Sequence, residues 1–164
     1  MNRKILLYIV YGDKQVYYNG AKYGLITFMN WITSNDNIEP VVLTERPEEF
    51  LNYPVKTITM SRKQIDSWSL NGRYHFRIKN RGMAFAMDKL NLDKSDKLLF
   101  FDTDAFFYRS PLGLYSLIKS NQAVFYRNEG LIYKHKRFNI YIKHLEKKEI
   151  KIDNMIYTLN RDAS

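Results

Sequence analysis

The segment that most constrains this chain is Leu98-Leu99-Phe100-Phe101, an unbroken apolar run that ends directly in Asp102-Thr103-Asp104. Without polar alternation, such a run reads as a strand buried on both faces, the pattern of a parallel sheet covered by helices. The rest of the chain repeats the theme. Residues 5–10, 41–43, 55–59 and 123–126 are further candidate strands, rich in Val, Ile and aromatic residues. Segments of helical period lie between them. Ala21, Leu25, Phe28 and Ile32 recur at intervals of four, three and four, which predicts a helix over 20–34 with one buried face. Arg46-Pro47-Glu48-Glu49-Phe50 reads as a helix start with proline and acids in its first turn. Residues 76–90 carry Met83, Met87 and Leu90 on one helical face, and Ser110-Pro111 reads as an N-cap and first helical position of a helix to about Ile118. Strands alternating with helices specify an α/β domain with a mainly parallel sheet flanked by helices.

Composition narrows the field. At 164 residues, 45% of them apolar, the chain suits one domain with a real core and is not disordered throughout. No stretch approaches the roughly 18 uncharged apolar residues that a spanning helix needs. Met1-Asn2-Arg3-Lys4 followed by an apolar run has the look of a short signal peptide, but Gly12, Asp13 and Lys14 interrupt it and no small-residue cleavage site follows. The run is read as the first strand. With no cysteine there are no disulfide frameworks, zinc ribbons or thiol nucleophiles, which fits a reducing, cytoplasmic setting. The net charge of +9 points to anionic partners, and its placement is uneven. No acid falls between Asp66 and Asp88, a stretch that holds Arg73, His75, Arg77, Lys79 and Arg81. A second basic region runs over 134–151. There Lys134, Lys136, Arg137, Lys143, Lys147, Lys148 and Lys151 face only Glu146 and Glu149, and Phe138, Tyr141, Ile142 and Leu145 suggest an amphipathic helix. The chain is accordingly divided into an α/β domain, 1–133, and a basic helical extension, 134–164.

The chemistry concentrates at the acidic pair. In open α/β sheets ligands sit at the carboxyl ends of strands, where Asp102 and Asp104 fall. If the segment is extended, residues i and i+2 point the same way, and the two carboxylates converge on one hard cation, Mg2+ or Mn2+, with positions left for water and phosphate. The plainer reading is that the pair turns the chain through side-chain to backbone hydrogen bonds. Arg77 and Arg81, four apart on a helix, share a face and could grip a diphosphate in a guanidinium fork. The plainer reading there is a solvated basic face.

The first strand, Tyr17 three residues before Gly20-Ala21 at a helix start, and the apolar strand ending in Asp102-Thr103-Asp104 together resemble glycosyltransferases of the GT-A fold. The likeness is to the glycogenin-like and lipopolysaccharide-sugar-transferase branch. It implies a Rossmann-like sheet and a metal-dependent, hexosyltransferase-like activity that moves a sugar from a nucleotide-sugar, a UDP-sugar, to a saccharide or glycan acceptor. It implies that Asp102 and Asp104 bind Mn2+ or Mg2+ on the donor diphosphate, and that Asp102 also approaches the ribose. It further implies that Val10, Tyr11 and Asp13 cradle the base, with Tyr17 stacked on it. Lys79 and Arg81 become candidates for contact with phosphate or donor sugar, beside Arg77. Members of that family run longer, and their later half supplies the acceptor site and a third metal ligand, often a His in a Gly- and Lys-containing tail motif that has no counterpart here. The resemblance covers roughly residues 4–127 and implies the donor-binding part of a longer enzyme, with the sheet incomplete at its C-terminus and transfer poor or absent in isolation. No catalytic group is identified.

Two other classes compete. Haloacid-dehalogenase-like phosphatases also open on an apolar strand and Asp-x-Asp, the first Asp attacking phosphorus. They normally carry Thr or Val two residues after the second Asp, where this chain has Phe106. A non-catalytic basic module binding nucleic acid or an anionic membrane rests on the charge and the aromatic residues, which lie mostly at core-like spacings. No nucleic-acid motif supports it, and no nucleic-acid partner is expected. The basic extension could still hold a transferase peripherally on acidic lipid.

Overall fold

A computed structural model describes residues 2–119, 149–152 and 155–158. In chain order the elements are β1 (Lys4–Val10), α1 (Gln15–Met29), β2 (Ile38–Thr44), β3 (Lys56–Thr59), α2 (Arg62–Trp68), α3 (Phe76–Lys89), β4 (Lys97–Phe101), α4 (Leu112–Leu117), β5 (Glu149–Ile152) and β6 (Met155–Thr158). Four strands form one sheet in the order β3-β2-β1-β4, and every pairing in it is parallel. The chain leaves β1 for β2 and β3 on one side, then crosses back to β4 on the other. The order therefore reverses between β1 and β4.

Strand periodicity builds the two cores. Ile5, Leu7 and Ile9 point to one face, where they meet Ile65 of α2 and Ile78 and Ala86 of α3. Leu6, Tyr8 and Val10 point to the other and meet Tyr18, Ala21, Leu25 and Phe28 of α1. A strand covered on both faces by helices is what parallel pairing requires. Pro40 lies inside β2, opposite Leu6, but β3 joins β2 only from Val41 onward, so the missing N–H falls where β2 has one described neighbour. Arg3 ties the start of β1 down: its backbone N–H donates to Asp96 (2.8 Å), and its guanidinium donates to the Leu90 carbonyl (2.7 Å) and to Glu39 (2.8 Å).

Several expectations shift. The helix predicted over 20–34 spans Gln15–Met29, so Gly20 is interior rather than at its start, and Ile32 packs on the second core from the following loop. Pro47 does open a turn of helix, but it is a 3-10 turn, Pro47–Phe50. On α3 the buried residues are Ile78, Gly82 and Ala86, whereas Met83 is half-buried and Met87 is 44% exposed. Small residues win that face because the helix lies close: a Cβ on Gly82 would sit 2.9 Å from Ile9 Cδ1. The α4 helix begins at Leu112, with Pro111 as its N-cap and Ser110 Oγ accepting from the Leu112 N–H at 3.4 Å. All five residues of β4 are half-buried rather than fully enclosed, since among the described strands it pairs only with β1.

Contacts divide the chain into two compact units, Met1–Val124 and Phe125–Ser164. The candidate strand at 123–126 and the amphipathic pattern over 134–148 lie outside the described residues. Within the second unit β5 and β6 pair antiparallel, with Ile152 opposite Met155. The extension is thus not helical throughout. Ile150, Ile152 and Ile156 favour strand, and Asp153-Asn154 between the two strands is turn-forming in composition. Among the described residues no helix is long and apolar enough to cross a membrane.

Candidate functional site at the carboxyl edge of the sheet

β1 and β4 run in parallel register with Tyr8 opposite Phe101, so Asp102 emerges beside the end of β1 at the point where strand order reverses. Such a reversal point is where open α/β sheets take ligands. The Asp-Thr-Asp segment is not extended. It is a turn, closed by the Ala105 N–H donating to the Asp102 carbonyl at 3.0 Å. The plainer reading was therefore right about the turn and wrong about its cause. The bond is backbone to backbone, and neither carboxylate makes a hydrogen bond to the described backbone.

A strap of contacts holds this turn on α1. Gly20 and Gly24 present no side chain to it, which leaves a channel for backbone. A Cβ on Gly20 would overlap the Thr103 carbonyl oxygen, and one on Gly24 would lie 2.7 Å from the Ala105 carbonyl oxygen. Tyr8, buried in the second core, donates its hydroxyl to that Ala105 oxygen at 3.3 Å. Thr27 Oγ1 accepts from the Phe107 N–H at 3.1 Å, and Trp31 Nε1 donates to the Phe107 carbonyl at 3.2 Å. The Phe107 ring then packs on Phe101 and Phe28, with centroids 4.9 and 5.4 Å away. Sequence reasoning missed Tyr8, Gly24, Thr27 and Trp31, and took Gly20 only as part of a helix start. The signal was present in Gly20-x-x-x-Gly24, two small residues one helical turn apart on the same side as buried Ala21 and Leu25.

Some of the predicted site residues meet and some do not. Lys79 on α3 reaches across to Asp102, Nζ to Oδ1 at 2.6 Å. Tyr11, directly after β1, has its hydroxyl pKa pushed up by burial, then by the nearby charge of Asp102, with Tyr17 a further cause. Tyr17 itself is 41% exposed on the first turn of α1. Gly12, at φ +86°, bends the connecting loop, and its N–H is held by Glu45 Oε1 at 2.5 Å. Val10 is fully buried, so its side chain offers nothing to a ligand and only its backbone is at the edge. Asp13 and Asp104 are exposed, and among the described residues neither has an ion-pair partner. Arg77 turns away: its Nη1 donates to the Ser67 and Trp68 carbonyls at 3.1 and 3.2 Å, capping the end of α2. Arg81 is exposed and makes no ion pair among the described residues, while Arg77 is engaged at the end of α2.

Whether these residues suit a divalent ion depends on what arrives with it. Among the described residues no three His, Asp or Glu side chains converge, so there is no self-sufficient cage. One or two carboxylates completed by water and substrate phosphate is, however, how Mg2+ is commonly held. Asp102 and Asp104 are hard oxygen donors of the type such an ion takes. A separate open hollow of about 570 Å³, lined by Lys63, Asp66, Ser67, Leu70 and Asn71, shares no residue with this edge. It lies beside the left-handed run Leu70, Asn71 and Gly72.

No protein-family model, curated protein or solved structure matches the chain.

Proposed function

We propose that this chain binds a nucleoside diphosphate carried by Mn2+ or Mg2+, as the donor-binding part of a GT-A-like glycosyltransferase that uses a UDP-sugar and a saccharide or glycan acceptor. The observation that carries the reading is the placement of Asp102 and Asp104. They stand on a backbone-locked turn at the reversal point of a parallel sheet, with both carboxylates free of the turn's own hydrogen bonds. Side chains around that turn supply the complementary parts. Asp102 and Asp104 would hold the ion on the diphosphate, and Lys79 offers a positive charge to phosphate oxygens. Tyr11 keeps its hydroxyl proton and so remains a hydrogen-bond donor at the edge. Tyr17 presents an exposed ring for a base. When bound, the metal would act as a Lewis acid that offsets charge on the departing diphosphate.

Calorimetry of UDP with and without Mn2+, on the wild-type chain and on Asp104→Ala, tests the reading. The expected result is binding that requires Mn2+ and weakens about tenfold or more in the variant, as loss of one charged ligand implies. Metal-independent affinity, or an indifferent Asp104→Ala, removes the reading. Phosphate release from a generic phosphomonoester with a trapped aspartyl-phosphate would replace it with the phosphatase class.

A further inference from the structure

The geometry points to Lys79 as a built-in competitor for the metal. Its ammonium is paired with Asp102, where a cation would bind, and would leave for the diphosphate only when metal and nucleotide arrive together. This rests on the proposed nucleotide site and adds to it a rule of entry.

Lys79 Nζ lies 2.6 Å from Asp102 Oδ1, the contact of a charge-assisted hydrogen bond. The pair is open to solvent, with the Lys side chain 32% and the Asp side chain 49% exposed, so it is weak enough to exchange. The anchor does not move with it. Ile78, the preceding residue of α3, is fully buried, so the backbone is fixed while a flexible four-carbon stem carries the charge. The Phe76 ring, 6.0 Å from Nζ, gives the ammonium a second surface to rest against once it has left Asp102. A divalent ion and an ammonium cannot share one carboxylate oxygen, because at a few ångströms their repulsion exceeds the attraction of an exposed pair. A bare cation is therefore opposed. A metal–diphosphate is not, since its own negative oxygens give Lys79 a new partner. Metal and nucleotide then favour one another's binding without any movement of the backbone.

The test is Mn2+ binding to the full chain, followed by the loss of the free-ion electron paramagnetic resonance signal, for wild type, Lys79→Met and Lys79→Arg. With Mn2+ alone, Lys79→Met should bind about tenfold more tightly than wild type, and Lys79→Arg should stay as weak as wild type. With UDP added, wild type should gain Mn2+ affinity, and Lys79→Met should gain less, having lost its phosphate contact. Equal Mn2+ affinity in wild type and Lys79→Met overturns the inference, as does Lys79→Arg behaving like Lys79→Met. The two ideas fail differently. If the nucleotide reading is wrong, UDP leaves wild-type Mn2+ affinity unchanged. If only Lys79 is misjudged, UDP still raises it while the two lysine variants and wild type agree in its absence.

Discussion

Replacing Gly20 with alanine should dislodge the acidic turn. Its Cβ would overlap the Thr103 carbonyl oxygen and lie 3.2 Å from the carbonyl carbon, and both obstructing atoms are backbone. They cannot swing aside as a side-chain tip would, because the turn is closed at Ala105 and strapped by Tyr8, Thr27 and Trp31. Forcing an atom into such a contact costs about 1–3 kcal/mol. Against this, alanine is roughly 1 kcal/mol better than glycine in a helix interior. The net expectation is a loss of about 1 kcal/mol, which moves a urea midpoint down by about 0.5 M for a domain of this size. Gly113 supplies the control. It also lies in a helix, but nothing stands within 4 Å of its Cβ position, so Gly113→Ala should stabilise by about 0.5 kcal/mol or more. Urea unfolding followed by circular dichroism gives both numbers. UDP titration with Mn2+ reads the site, where Gly20→Ala should bind more weakly even at temperatures well below its unfolding. If Gly20→Ala is as stable as Gly113→Ala and binds as wild type does, the turn is not seated on α1 and the account of the site's rigidity fails.

Alkaline pH should unfold the protein through its buried tyrosines. Burial pushes up the hydroxyls of Tyr8, Tyr18 and Tyr115, with the Glu45 charge a further cause at Tyr18. Raised folded values mean that stability is complete below the ordinary tyrosine pKa of about 10 and is lost above it, by about 1.4 kcal/mol per pH unit for each group that only the unfolded chain can ionise. Absorbance at 295 nm should show a late step coincident with loss of circular dichroism, whereas smooth ionisation of every tyrosine in an intact fold would contradict this. Arg77→Ala should lower stability by about 0.5–1.5 kcal/mol through loss of its bonds to the Ser67 and Trp68 carbonyls, and leave UDP affinity unchanged. A large affinity loss at constant stability would return Arg77 to the site.

What could be read from the residues divides along physical lines. β1 was legible because a six-residue apolar run offers both faces to partners, and both faces have them. β4 looked more enclosed than it is, because an apolar run reports what a strand can bury and not how many neighbours it has. The α3 face was misjudged for a related reason. Met83 and Met87 dominate by size, but close approach to Ile9 and Leu43 selects Gly82 and Ala86. At the site, residue type located Asp102 and even suggested Lys79, yet the turn at 102–105 and the withdrawal of Arg77 to α2 depend on contacts with distant segments. Spacing along one element does not encode those.

The pairing of β1 with β4 has a consequence for the order in which the molecule acquires the edge that carries its acidic turn. Arg3 meets Asp96 across 93 positions of sequence, and Tyr8 meets Ala105 across 97, whereas β1, β2 and β3 can associate as soon as they emerge from the ribosome. Closing so long a loop costs more entropy than closing the shorter β1–β2 connection, so the edge should form after the first three strands. A chain that has made only its first three strands carries no acidic turn, and a ligand added during refolding should be captured only after the slowest β-sheet phase is over. Occupancy of this edge would then stabilise the completed sheet by mass action, making ligand protection a direct gauge of whether β4 has docked.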